Sequence, residues 1–248
     1  FSLAGKIAVI TGGGGTLCGV IAEGFLKAGA QVALWGRNLE TLEAKKNELI
    51  QKRCQAENIC LAVVDLLHEE QIASALNKTV VKCGQIDILV NGVGGSSVRC
   101  PLVETDTAEF EKIVKLNLLA GCFLPTKLFA DYWIKNHIHG RILNIASMAS
   151  YNPLSGGWAY SAAKAAVVNQ TMAQAQELAD YGIRVNALAP GFFLGKQNKR
   201  LLQNEDGTPT ERGKNVLAHT PFNRFGDPQE LCAPSIFLCA DGASFVSG

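Results

Sequence analysis

Histidine is scarce in this 248-residue chain, with four copies, and none stands at metal-ligand spacing from any of the eight cysteines. That argues against a zinc site. The cysteines (18, 54, 60, 83, 100, 122, 232 and 239) include no CxxC pair. Most lie in apolar periodic segments such as IFLCA, so they read as free, buried thiols of a reducing compartment and not as a disulfide framework. Charge of one sign is also lacking: 23 basic and 22 acidic residues leave a formal net charge of +1, without any run of like charge. Such a balance excludes an electrostatic grip on nucleic acid or on a membrane surface. Neither a signal peptide nor a long apolar span is apparent, so the expected setting is the cytoplasm. Linkers, low-complexity stretches and internal repeats are missing too, which leaves one domain over 1–248.

What is present is apolar material, 48% of the chain, arranged as short runs alternating with longer amphipathic stretches. KIAVIT (6–11), QVALWG (31–36), ICLAVVDL (59–66), IDILVNG (86–92), GRILNIAS (140–147) and IRVNALAP (183–190) are the runs. Helical periods fill the intervals, for example VIAEGFLKAGA (20–30) and LETLEAKKNELIQKRC (39–54). Continuous Val/Ile/Leu runs predict strands covered on both faces. Their alternation with helices predicts an α/β fold, a Rossmann-type doubly wound parallel sheet with helices on both faces. Ligands of such sheets bind beyond the carboxyl ends of the strands. There the sequence places a glycine loop, WGRN, Asp65, NGVGG, ASMAS and APGFF.

YSAAK puts Tyr160 and Lys164 four residues apart, on one face of an alanine-rich helix. An ammonium beside a phenol stabilises the phenolate, so the spacing predicts a Tyr160 pKa below the free value of about 10. Such a group exchanges a proton as alcohol–carbonyl interconversion requires. Ser147 leaves the fifth strand and is placed to hydrogen-bond the same substrate oxygen.

Ser147, YSAAK and IRVNALAPG together resemble the short-chain dehydrogenase/reductase family, and the likeness runs from GKIAVITGG to ASFVSG, nearly the whole chain. The resemblance implies a catalytic tetrad of Asn117 (in KLNLLAG), Ser147, Tyr160 and Lys164. Tyr160 would be the acid in reduction and the base in oxidation, and Ser147 would polarise the carbonyl. Lys164 would lower the tyrosine pKa and hold the nicotinamide ribose, and Asn117 would anchor a water-linked proton path. TGGGGTLCG (11–19) matches no GxGxxG register; in the family's TGxxxGxG frame Thr11 and Gly12 are in place, while Thr16 and Cys18 replace glycines. Gly12 to Gly15 keep the freedom such a loop needs, and a helix N-terminus after it suits a pyrophosphate.

The implied nucleotide contacts are Thr11, Gly12, Gly14, Gly15, Thr16, Leu17, Arg37, Asn38, Asp65, Leu66, Asn91, Gly92, Gly94, Tyr160, Lys164, Pro190 and Gly191. Gly92 replaces an asparagine of the family's NNAG stretch, and Gly195 a threonine beyond the PG motif. At the end of the second strand Gly36 and Arg37 stand where an acidic residue would select NAD, so NADP is the expected cofactor and NAD the alternative. A substrate lid is expected at about 192–225. The sequence there, with TGGGG, resembles a subgroup of D-mannonate oxidoreductases and fructuronate reductases, which implies a sugar-acid substrate held by Ser147, Tyr160, Arg99, Lys196, Gln197 and Asn198, with Arg200 nearby. A polyol, a 3-oxoacyl thioester or a hydrophobic ketone remains open as substrate, as does a non-catalytic dinucleotide-binding relative. The resemblance also implies a homodimer or homotetramer.

Overall fold

A computed structural model of the chain describes residues 1–95, 99–195 and 199–248. Six strands form one parallel sheet: β1 (Ile7–Thr11), β2 (Gln31–Gly36), β3 (Ile59–Val63), β4 (Ile88–Asn91), β5 (Arg141–Ile145) and β6 (Arg184–Leu188). They stand in the order β3-β2-β1-β4-β5-β6. The direction of winding therefore reverses between β1 and β4, and a crevice opens at their carboxyl ends.

The strands are apolar throughout because they bury both sides. Ala8, Ile10, Val32 and Leu34 enter one core with Ile21 and Phe25 of α1 (Thr16–Lys27) and Leu42 and Leu49 of α2 (Leu39–Gln51). The residues between them, Val9, Ala33 and Trp35, enter the other, with Ile72 of α3 (Glu69–Cys83). Phe129 and Trp133 join that second core and stack edge-on beside Trp35.

They belong to a long helical rod made of α4 (Thr107–Val114), a π-helical stretch (Lys115–Phe123) and α5 (Leu124–Lys135). The rod corrects one reading of the sequence. Over its 29 residues it is long and apolar enough to cross a membrane by length and composition. Half of its most apolar stretch is buried inside the protein, which accounts for the apolarity.

The rod packs on α6 (Trp158–Leu178). Beyond β6 come α7 (Lys199–Leu202), α8 (Glu211–Ala218) and α9 (Cys232–Cys239). The segment with α7 and α8 is closed at its base, where Phe193 bridges Gly226 and the Gly226 N–H donates to the Phe192 carbonyl at 2.9 Å. The expected substrate lid, about 192–225, falls on this segment.

Strand ends are shorter than the apolar runs. The third stops at Val63 and the fifth at Ile145, so Asp65 and Ser147 lie in the exits, not on the strands. Helix α1 begins four residues before the periodic run, directly after the glycines.

Candidate active site

Ser147 is the N-cap of a 3-10 turn (Met148–Ser150), and its Oγ accepts from the Ala149 N–H at 3.1 Å. The turn is fixed to the next exit by the Met148 N–H, which donates to the Pro190 carbonyl at 3.0 Å. Ser150 Oγ donates to the Lys164 carbonyl at 2.8 Å, docking the turn on α6. Tyr160, in the first turn of α6, is thereby brought into hydrogen bonding with Ser147.

One turn on, Lys164 is 4% exposed; its Nζ lies 5.9 Å from the Tyr160 ring centroid and donates to the Ile145 carbonyl at 2.7 Å. The electrostatics differ from those read off the spacing. Burial pushes the Tyr160 phenol above its ordinary value, opposed by the Ser147 hydrogen bond. Burial likewise pulls Lys164 down to about 8, opposed by the Cys122 and Cys18 thiols. The expected fall in the tyrosine pKa is thus reversed, because i, i+4 spacing fixes proximity while desolvation decides the sign.

Asn117 sits in the π-helical stretch, a helical defect frequent at functional sites. Its Nδ2 donates to the Ile113 and Gly95 carbonyls, both at 2.9 Å, and its Oδ1 accepts from the Gly95 N–H at 2.8 Å. Every hydrogen of the amide is committed, so the side chain holds the β4 exit in place. A Cβ on Gly94 would fall 2.6 Å from Asn117 Oδ1 and 3.1 Å from Lys164 Nζ. Glycine at 94 is what lets the main chain lie against both.

The glycine loop forms a cradle. Gly12 adopts φ +66°, and Cβ atoms on Gly13 and Gly14 would come within 2.8 Å of Leu34 Cβ and 2.6 Å of Thr41 Cγ2. Gly15 is the N-cap of α1, no side chain caps it, and the first turn, with Thr16 and Leu17, holds no acidic residue. The start of a twelve-residue helix thus presents free N–H groups and the positive end of its dipole. These residues fit the pyrophosphate of a dinucleotide. The segment after β6 starts against the same loop, since a Cβ on Gly195 would meet Thr16 Oγ1 at 3.3 Å.

The remaining expected contacts divide by where their side chains go. Arg37 is exposed at the β2 exit, and the neighbouring Gly36 packs on Leu42. Asn38 spends its Oδ1 capping α2, accepting from the Thr41 N–H at 2.9 Å. Asp65 Oδ1 accepts from the Leu67 N–H at 3.0 Å, whereas the Leu66 side chain is in the core. Asn91 is fully buried and donates to Asn144 Oδ1 at 2.8 Å and Thr126 Oγ1 at 2.9 Å, so its side chain supports the sheet and does not reach the crevice. Pro190 and Gly191 border the Met148 turn. Arg200 is exposed on α7, while Lys196, Gln197 and Asn198 lie outside the described residues.

Arg99 lies beside the turn that leads into α6: its Cβ would be 3.4 Å from a Cβ on Gly156, and the Cys100 N–H donates to the Gly156 carbonyl. Partial burial, and then the like charge of Arg212 on α8, lower the Arg99 guanidinium from its ordinary value. Nothing in the spacing of Arg212 singles it out; the fold brings α8 near enough for its charge to act on Arg99. Next to Tyr160 on the side of α4 is a cavity of about 220 Å³, whose lining includes Glu104, Asp106, Glu109 and Trp158.

Comparison with known proteins agrees with this geometry. The profile of the family described as short chain dehydrogenase matches residues 6–206. An uncharacterised oxidoreductase of Bacillus subtilis, UxuB, is 36% identical over 264 residues, covering 100% of this chain and 92% of the relative. A candidate D-mannonate oxidoreductase of Haemophilus influenzae, solved with bound NAD, superposes with a TM-score of 0.89 at 32% identity, over 99% of this chain and 92% of that one. A candidate NAD(P)-dependent gluconate 5-dehydrogenase of Beutenbergia cavernae, solved with NADP, gives 0.86 at 32% identity, over 99% and 94%. The chain belongs to the short-chain dehydrogenase/reductase family and is an NAD(P)-dependent oxidoreductase.

Proposed function

We propose that this enzyme interconverts a secondary alcohol and a ketone of a sugar acid, of the D-mannonate/D-fructuronate or gluconate kind, and that it prefers NADP. The observation that carries the substrate class is Arg99, which lies beside the turn leading into the helix of Tyr160 and is close enough to Arg212 to feel its like charge. Neither has an ion-pair partner among the described residues. Two cations that feel each other without a counter-ion favour an anionic ligand, and a guanidinium suits a carboxylate. The two structural neighbours described as acting on sugar acids support the same class. For the cofactor, Arg37 stands at the β2 exit where the ribose 2′ position of a bound dinucleotide is read, and it is a cation.

When bound, the nicotinamide supplies the hydride in reduction and takes it up in oxidation. In reduction Ser147 and Tyr160 both donate hydrogen bonds to the ketone oxygen, and Tyr160 then gives up its phenolic proton to that oxygen. Because burial raises the phenol, Tyr160 stands protonated at neutral pH and is ready to act as an acid. Lys164 keeps donors for the ribose beyond the one bonded to Ile145. Asn117 fixes the Gly94–Gly95 main chain over the lysine. A neutral polyol is the second reading, favoured by Glu104, Asp106 and Glu109 in the cavity beside Tyr160.

The test is NADPH and NADH oxidation with fructuronate, tagaturonate and uncharged ketones, in the native protein and in Arg99→Ala and Arg212→Ala. The expected result is a KM for the acids raised about tenfold or more by either substitution, with uncharged ketones little affected. Equal effects on both substrate types would refute carboxylate recognition.

A further inference from the structure

Cys18, in the first turn of α1, and Gly92, just past β4, meet over the end of β1. Cys18 Sγ points at the Gly92 carbonyl, 3.6 Å away, and the thiol is buried. A Cβ on Gly92 would lie 2.1 Å from that sulfur, and 2.8 Å from the Thr11 carbonyl oxygen. The volume a side chain at 92 would need is therefore held by the cysteine. Gly92 is also bound from the loop side: its N–H donates to Thr11 Oγ1 at 3.0 Å, and that hydroxyl donates to the Val90 carbonyl at 3.2 Å. Gly12 approaches so closely that a Cβ there would touch the Gly92 oxygen at 3.0 Å. Three parts of the nucleotide cradle thus converge on one glycine: the end of β1, the turn and the first turn of α1.

From Gly92 the main chain runs two residues to Gly94, which lies against Lys164 Nζ and Asn117 Oδ1. Cys18 is itself near enough to Lys164 for the two to affect each other's ionisation. Two of the three places where the loop and the NGVGG stretch depart from the family pattern, Cys18 and Gly92, are thus one feature in space. We infer that Cys18 and Gly92 are a matched pair, in which Cys18 is a positioning residue that sets the phosphate-binding loop against the β4 exit and thereby fixes Lys164 relative to the nucleotide. The pair is an exchange of bulk: the larger residue stands on the helix and the smaller on the strand exit. Either partner enlarged or emptied alone shifts the loop, while a joint change removes the larger of the two clashes, that with the sulfur, and leaves that with the Thr11 oxygen.

The test is a double-mutant cycle of Gly92→Ala, Cys18→Ala and both together. It reads nucleotide Kd by NAD(P)H fluorescence, kcat at saturating nucleotide, and thermal midpoint. Without its sulfur the cysteine position leaves only a Cβ 3.7 Å from the new methyl group, an ordinary contact, while the Thr11 oxygen still presses on it. Gly92→Ala alone should weaken nucleotide binding about tenfold or more and lower kcat. Cys18→Ala alone should weaken it severalfold, and the double variant should bind at least about fivefold more tightly than Gly92→Ala. If Gly92→Ala does not fold, a folded, nucleotide-binding double variant gives the same support. Additive Kd effects, a double variant no better than Gly92→Ala, or changes confined to the thermal midpoint would overturn the inference.

Discussion

At the scale of residues, Lys164 carries the least expected property of the site. Its neighbours include the Ile145 carbonyl at 2.7 Å, the Tyr160 ring, the Gly94 main chain and the Cys18 and Cys122 thiols. Burial among them brings its pKa to about 8, so near that pH about half of the side chains are neutral. An anionic dinucleotide favours the ammonium and raises the pKa in the complex. Binding near pH 8 therefore takes up a proton, and Kd rises with pH between the free and bound values. Calorimetry in two buffers of different ionisation enthalpy should record this uptake, and Lys164→Met should abolish it and flatten the pH profile. No uptake by the native protein would contradict the buried, depressed lysine. Tyr160 and Lys164 were both legible in YSAAK, but their protonation was not. That depends on Ile145 and Ser147, which the chain brings in from the β5 exit.

Elements place these residues, and their ends matter more than their middles. The β2 exit offers Gly36, packed on Leu42, then exposed Arg37, then Asn38 consumed as the cap of α2. Arg37 is the one cation of the three, and its side chain is exposed to meet a 2′-phosphate. Arg37→Asp should shift preference from NADPH toward NADH by about tenfold or more in kcat/KM, through loss of a charge-assisted contact and gain of repulsion. An unchanged ratio would place the 2′-phosphate elsewhere. The six strands were legible because their apolar runs face two cores, but their last residues were not. Asp65 and Ser147 extend the runs in sequence while leaving the ladder in space, since the turns that cap α3 and hold Ser147 begin there. The π-helical stretch around Asn117 was illegible for a similar reason: KLNLLAG has ordinary helical composition. The extra residue in the turn shows only when Asn117 is seen bonding Gly95 across the crevice.

Over the whole molecule, the order β3-β2-β1-β4-β5-β6 gathers groups far apart in the chain at one rim. The cradle comes from β1 and α1, the anchoring glycines from the β4 exit, the serine from the β5 exit, and the tyrosine and lysine from α6. With a net charge of +1, long-range attraction contributes little, and under the proposed function selection of an anion falls to the local arginines. The sheet was predictable from alternating runs, and the nearness of Tyr160 to Lys164 from their spacing. The meeting of Cys18 with Gly92 was not, because it joins residues whose separation in sequence carries no period.

The most direct measurement is single-turnover oxidation of NADPH with a sugar-acid ketone by the native enzyme and by Tyr160→Phe, with nucleotide Kd determined alongside. The account predicts a rate lower by about 10²–10⁴-fold in the variant with Kd nearly unchanged. A variant that reduces the ketone at the native rate would show that the proton reaches the oxygen by another route.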